Sequence, residues 1–522
     1  MVPPALRLLL AFLAIGSCIA VDHVDIWPMP QSANHGTQRL YVSKDLVLST
    51  AGSNYADDRA ILKDAFQRTM DLLKLNHAAD GAEPSSYVLK GVNVVVRSPE
   101  DELNFGVDES YNMSILTVGE PLHAQIEAQT VYGALNALQT FSQLCYFDFT
   151  SRLIELNSAP WMITDAPRFP YRGLLIDTAR HYLPLSTIKG VIDAMSYSKL
   201  NVLHWHIVDE QSFPIEIPSY PKLWNGSYSY SERYTMSDAI DIVRYAEKRG
   251  VNVLAEIDVP GHALSWGVGY PLLWPSDSCK EPLDVSNNFT FTVIDGILSD
   301  FSKVFKFKLV HLGGDEVNTS CWTATPHIKE WLRDNHMNVS DAYRYFVLRT
   351  QKIAISHGYD VVNWEETFNH FGEKLDRKTV VHNWLGGDVA PKVVAAGLRC
   401  IVSNQDNWYL DHLDATWEGF YMNEPLEGID DPEQQRLVIG GEVCMWGEQI
   451  DASDIEQTIW PRAAAAAERL WTPLEKLAEH ARSATSRLSR FRCLLNQRGI
   501  AAAPLAGDGR TAPYEPGPCV RQ

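Results

Sequence analysis

From Tyr171 onward the chain repeats one pattern: a short apolar run, a polar residue at its end, then an amphipathic segment. The runs cover 173–177, 202–206, 251–256, 309–313, 360–364, 379–384, 400–403 and 438–442. Such short, continuous apolar stretches suit strands buried on both faces, as parallel strands are. Segments of helical period lie between most of them, for example 186–199, 237–249 and 341–357. Eight strand-then-helix units over roughly 270 residues match the size of a (β/α)8 barrel, typically about 250 residues. The fold class expected is therefore α/β, a TIM barrel preceded by a smaller α/β domain. An open doubly wound sheet is the main rival. Its dinucleotide-binding form loses ground because no Gly-x-Gly-x-x-Gly turn follows the first strand.

The segment ahead of the barrel reads as a separate unit. Strands are expected at 40–42 and 92–96, with helices at 56–75 and 130–144, and prolines between 160 and 170 mark a boundary. The division that follows is 1–20 signal peptide, 21–165 N-terminal domain, 166–500 barrel and 501–522 tail. The signal is read from Arg7, the apolar core 8–15 and the small-x-small site Cys18-Ile19-Ala20. No later apolar run approaches the roughly 18 residues that span a bilayer. Asn-x-Ser/Thr acceptors at Asn112, Asn225, Asn288, Asn318 and Asn338 agree with a secretory route. A net charge of −20 argues against nucleic acid as partner.

Of eight cysteines, Cys18 leaves with the signal and seven remain. Cys279 and Cys321 lie in polar, loop-like surroundings and could pair; Cys493 and Cys519 could staple the tail. Cys145, Cys400 and Cys444 sit in apolar contexts and read as core residues. No metal-ligand spacing is visible among the seven.

Barrel enzymes place their chemistry at the C-terminal ends of the strands, and there the sequence is dense in acids and aromatics. Strand four ends in Gly313-Gly314-Asp315-Glu316, where the glycines let a ligand or a neighbouring backbone approach. The other ends carry Asp177 and Arg180, then Asp209, then Glu256, Asp258 and His262, then Trp364, Glu365 and Glu366. Trp384, Tyr409, Asp411, Trp446 and Glu448 complete the set. Acids among tryptophans suit a sugar, whose apolar faces stack on rings while its hydroxyls bond to carboxylates and arginine.

On these residues the chain resembles the β-N-acetylhexosaminidases of glycoside hydrolase family 20, the lysosomal and vacuolar family that removes terminal N-acetylhexosamine. The matching segments include 172–184, His204-Trp-His-Ile-Val-Asp209, Glu256-Ile-Asp-Val-Pro-Gly-His262, His311-Leu-Gly-Gly-Asp-Glu316, Trp408-Tyr-Leu-Asp411 and 441–448. The alanine-rich helix after Arg462 looks plant-like. The resemblance implies Glu316 as general acid/base and Asp315 as the carboxylate that orients the substrate acetamide. It implies Arg180 and Glu448 at the sugar hydroxyls and Asp411 as a further substrate-binding residue, with Asp209 and His262 as a supporting polar shell. Trp364, Trp384 and Trp446 would wall the acetamide pocket and the sugar face, and Tyr409 would touch the acetamide oxygen. His412 stands where a relative that accepts anionic sugars carries arginine. No cofactor is implied, and relatives are often dimers, in vacuoles, lysosomes or outside the cell.

The residues support such a mechanism in their own terms. Ordinary retaining and inverting glycosidases use two separated carboxyls on opposite sides of the bond. Sequence neighbours such as Asp315 and Glu316 cannot easily do that, but a second protein acid is unnecessary if the substrate's acetamide oxygen attacks. Asp315 would also repel charge on Glu316 and favour its protonated form. Two other readings stand beside this one. A protein carboxylate could be the nucleophile, or His204 and His206, alternating on one strand, could face a metal in an amidohydrolase.

Overall fold

The computed structural model describes residues 24–75, 77–119, 121–505 and Cys519. The expected signal segment, and the expected tail beyond 505 apart from Cys519, lie outside the described residues.

A six-stranded sheet comes first: β1 (Ser32–Ser49), β2 (Val88–Val96), β3 (Tyr111–Ile115), β4 (Leu122–Ala128), β5 (Cys145–Asp148) and β6 (Leu153–Asp165), in the order β1-β2-β4-β3-β6-β5. Helices α1 (Ile61–Lys74) and α2 (Val131–Leu144) contribute Phe66, Met70, Leu138 and Phe141 to its core. α1 starts later than its periodicity alone suggests. Asp57 accepts hydrogen bonds from the amides of Leu62 and Lys63 at 2.9 Å, which satisfies donors of the first turn and sets the start. Pro160 opens the proline-containing segment 160–170. It lies within β6, where pairing with β1 shifts register between His35 and Gln38, an irregularity that accommodates a residue without an amide proton. The sheet ends at Asp165 and the next strand opens at Tyr171.

Eight parallel strands then close on themselves: β7 (Tyr171–Asp177), β8 (Val202–Val208), β9 (Asn252–Ile257), β10 (Leu309–His311), β11 (Asp360–Trp364), β12 (Val380–Asn383), β13 (Arg399–Val402) and β14 (Val438–Met445). The (β/α)8 barrel read from the sequence is present, each strand within a few residues of its expected place. Inward side chains stack in layers. An apolar floor of Tyr171, Val202, Leu254, Leu309, Val362, Val380, Ile401 and Ile439 lies at the N-terminal end. Above it sits a fully buried polar layer that includes His204, Glu256, His311, His382 and Glu442. Leu175, Trp364, Tyr409 and Cys444, with Trp384 and Trp446 against them, form the top.

The two units meet through buried ion pairs, Arg172 to Glu109 at 2.7 Å and Lys199 to Asp165 at 2.8 Å. The helix Thr485–Gln497 ties both together. Its Arg487 pairs with Glu468 and donates to the Ile26 carbonyl, while Arg490 donates to that of Gln143. Disulfides join Cys279 to Cys321 and Cys493 to Cys519, and Cys145, Cys400 and Cys444 are buried thiols. All five expected glycan acceptors have exposed side chains. Among the described residues no helix is long and apolar enough to cross a membrane.

Candidate active site

A pocket of about 170 Å³ opens at the C-terminal mouth of the barrel. Arg180, His262, Asp315, Glu316, Trp364, Trp384, Tyr409, Asp411, Trp446 and Glu448 line it, together with Gln405 and His412. Every pocket residue singled out from the sequence is brought here except Asp209, which is fully buried behind it. Gln405 carries no sequence signal, being a lone amide at the start of the short helix Gln405–Trp408.

The turn after β10 explains both glycines. Gly313 has φ +61° and Gly314 φ +104°, and a Cβ on Gly313 would fall 1.8 Å from Asp258 Oδ1. The close approach is that of Asp258, by its carboxyl group and by its backbone Cα at 2.8 Å. Asp258 Oδ1 accepts the Gly314 amide at 2.9 Å, and the Gly313 carbonyl accepts from the Asn363 side chain at 2.9 Å. Glu316 itself sits at φ +48°, a left-handed conformation that a non-glycine residue holds only when its surroundings impose it. Burial, then the charge of Asp315, push Asp258 well above the usual carboxylate range.

Arg180 gathers acids from three strands. It lies 2.9 Å from Asp177, 2.9 Å from Asp209 and 3.5 Å from Glu448, and its guanidinium stands 5.2 Å over the Trp446 ring. Burial opposes its charge, but these carboxylates outweigh burial and raise its proton affinity. Asp209 accepts from His206 at 2.8 Å and from His262 at 3.1 Å. Those contacts overcome its desolvation and hold it below the usual range. His262 in turn faces Asp315 at 3.7 Å and Glu316 at 3.6 Å.

One electrostatic expectation is reversed. Glu316 lies below, not above, the usual carboxylate range, because its contact with His262 outweighs desolvation of a side chain still 63% exposed. The His262 contact, which sequence adjacency does not reveal, sets the direction, and the charge that opposes it is Asp209 rather than Asp315. Glu366 shows the opposite behaviour. Burial, then Asp315, push it up to about 8, and it accepts the Trp384 indole proton at 2.9 Å.

The aromatic walls lean on one another. Trp384 stacks on Tyr409 at 6.3 Å and 11°, and Trp446 stands 6.0 Å from Trp364 and 6.2 Å from Tyr409. Two buried carboxylate oxygens, Asp315 Oδ1 and Asp411 Oδ1, have no hydrogen-bond partner among the described residues. Buried acceptors without partners are costly, so these two are positioned for a ligand rich in N–H and O–H groups. His204 and His206 face inward beneath the pocket. His206 hydrogen-bonds to Glu256 at 2.6 Å and to Asp209 at 2.8 Å and His204 Nδ1 to Glu442 at 2.7 Å, whereas His204 Nε2 stands 2.9 Å from Glu256 without forming a hydrogen bond.

An aromatic-walled pocket with clustered acids at the C-terminal mouth of a (β/α)8 barrel is the site of a glycoside hydrolase. Residues 169–474 match the catalytic domain of glycosyl hydrolase family 20, and residues 26–144 match a β-acetyl hexosaminidase-like domain. The chain is 63% identical over 507 residues to β-hexosaminidase 3 of Arabidopsis thaliana, covering 96% of this chain and 95% of that one. It is 54% identical over 511 residues to β-hexosaminidase 1 of the same plant, covering 95% and 94%. A chitobiase structure from Flavobacterium johnsoniae aligns with a TM-score of 0.80 at 27% identity, covering 91% of this chain and 73% of that one. The chain belongs to glycosyl hydrolase family 20, among the β-hexosaminidases.

Proposed function

We propose that the enzyme removes terminal, non-reducing β-linked N-acetylglucosamine and N-acetylgalactosamine with retention, using the substrate's own acetamide as nucleophile. One observation carries the reading. Asp315 and Glu316 enter the pocket from a single strand end, and Asp315 Oδ1 is buried without a partner. In the first step the acetamide oxygen bonds to the anomeric carbon as the glycosidic bond breaks, and Glu316 gives its proton to the departing oxygen. Asp315 receives the acetamide N–H and stabilises the cationic oxazolinium. In the second step Glu316, now a carboxylate, takes a proton from water as that water reopens the ring. Arg180, Asp411 and Glu448 hold the sugar hydroxyls; Trp364, Trp384 and Trp446 exclude water; Tyr409 reaches the acetamide oxygen. His412, 5.7 Å from Tyr409 by ring centres, disfavours sugars carrying a 6-sulfate.

The substrates proposed are N-glycans or chitin-type oligosaccharides, met in a vacuole, a lysosome or the extracellular space, by a protein that forms a homodimer and carries glycans at the five exposed acceptors. Assay of the purified protein on paired N-acetylglucosaminide, N-acetylgalactosaminide and unacetylated glucosaminide substrates tests the activity. Turnover of the first two and not the third is expected, and turnover of the third overturns the acetamide's role. Dialysis against a chelator should leave the rate unchanged; loss of activity restored by metal would return the reading to an amidohydrolase.

A further inference from the structure

A line of closely spaced groups runs from the barrel floor to the pocket, with hydrogen bonds at every step except His204 Nε2 to Glu256 and His262 to Glu316. Tyr171 donates its hydroxyl proton to Glu442 at 2.5 Å, and the other Glu442 oxygen meets His204 Nδ1 at 2.7 Å. His204 Nε2 lies 2.9 Å from Glu256 Oε2, and the same oxygen lies 2.6 Å from His206 Nδ1. His206 Nε2 meets Asp209 Oδ2 at 2.8 Å, and Asp209 Oδ1 meets His262 Nδ1 at 3.1 Å. His262 closes the line at 3.6 Å from Glu316. Below His262 every member is buried from water, where charges act on one another far more strongly than in solvent.

The geometry at His206 is decisive. A neutral imidazole has one N–H, yet both His206 nitrogens face carboxyl groups at hydrogen-bond distance, and with Glu256 and Asp209 both held below the usual carboxylate range only the doubly protonated ring satisfies the two. His382, equally buried in the same layer, differs. Its Nδ1 faces another imidazole, His311, at 3.3 Å, and its Nε2 faces the Ser403 hydroxyl at 2.9 Å, contacts that a neutral ring fulfils.

We infer that His206 is a positioning residue for the acid: a standing imidazolium, clamped between Glu256 and Asp209, that offsets the charge of Asp209 and so sets, through His262, how tightly Glu316 holds its proton. The inference rests on the reading of Glu316 as general acid/base. His206 faces Glu256 from β9, Asp209 beyond its own strand, Asp177 from β7 and the Trp446 ring edge-on at 5.0 Å, with His204 beside it on β8. Burial opposes its charge, and these three acids outweigh burial. Glu316 feels His262, Arg180 and Asp209, with Asp315 next to it in the chain. Burial and the neighbouring His311 and His204 hold His382 well below the usual histidine range.

The sign follows. Asp209 favours the protonated form of Glu316, and His206 mutes that effect. Removing the His206 charge leaves Asp209 less neutralised, so Glu316 keeps its proton to higher pH.

The test compares His206→Gln with His382→Gln by kcat/KM against pH, with thermal unfolding to establish that each variant is folded. In His206→Gln the alkaline limb should move up by roughly half a pH unit or more. In His382→Gln, which removes no charge, the limb should stay in place even if stability falls. An unmoved limb in folded His206→Gln, or equal movement in both variants, overturns the inference by assigning any effect to packing. Neutron diffraction of the unaltered protein supplies an arm that needs no variant: two deuterons on the His206 ring and one on His382 are expected, and a single deuteron on His206 overturns the inference. Glu316→Gln with activity intact would instead remove the acid assignment, leaving the neutron result readable by itself.

Discussion

Glu316 Oε2 and His262 Nε2 face one another at 3.6 Å, so the open pocket holds its acid below the usual carboxylate range. A general acid works only while protonated, so kcat/KM must fall as pH rises through the proton affinity of Glu316 in the free enzyme. A bound sugar covers this half-exposed carboxyl, and desolvation raises it. The alkaline limb of kcat should therefore lie at higher pH than that of kcat/KM, with the optimum on the acid side. Coincident limbs, or an optimum at about pH 8 or above, would contradict the assignment.

Glu316→Gln keeps the shape of the side chain and removes its transferable proton. General acid catalysis is worth about 10²–10⁴-fold, so kcat should drop by at least that range on substrates with poor leaving groups and by less on activated ones. Steady-state kinetics on an aryl and an alkyl glycoside measures the difference; a variant within tenfold of the parent on both would end this role for Glu316.

Asp315→Asn should lower kcat more than it raises KM, because the charge that Asp315 stabilises develops only as the oxazolinium ring closes. A thiazoline analogue of that ring should inhibit strongly, by complementarity to the high-energy state. A 2-fluoro sugar and peptide mass mapping probe the competing mechanism. A stable glycosyl adduct on Asp209 or Glu256 would replace the acetamide with a protein nucleophile.

Glu366 stays protonated in the fold to about 8, whereas the same carboxyl in an unfolded chain ionises near 4.5. Between those values the folded state binds the extra proton, so its contribution to stability is complete below the window and is lost as pH rises through it. Melting temperatures taken across the window should fall with pH, and Glu366→Gln should flatten the trend. Glu366→Ala should also raise KM by freeing the Trp384 indole that it holds at 2.9 Å. An unchanged slope in Glu366→Gln would remove Glu366 as the source.

Gly313→Ala should be among the most damaging single-methyl additions in the chain. Positive φ and a 1.8 Å approach of Asp258 both oppose a Cβ there, so the loss should exceed about 1 kcal/mol in chemical unfolding. Gly358→Ala, with positive φ but open space around it, should cost only the backbone term. Equal losses at both positions would mean that the Asp258 contact carries no weight.

Much of this protein is local in origin and so legible in its sequence. Strands such as Val202–Val208 are read from their own apolar runs, because burial on both faces admits nothing else, and a strand end in a barrel has only one place to go. That is why the chain order delivers Arg180, His262, Asp315, Trp384 and Glu448 to one mouth. The N-terminal sheet was less legible. β4 alternates buried and exposed residues along Leu122–Ala128, and β6 passes through Pro160. Its strands take their identity from partners distant in sequence. Charge states were hidden for the same reason. Nothing near Glu316 in the chain announces His262, nothing near Gly313 announces Asp258, and the clamp on His206 needs Glu256 from the next strand. Sequence determined which residues meet at the barrel mouth, since strand period and direction are local properties. Only the closed barrel decided which of them carry protons, because that depends on distances across strands and on the exclusion of water.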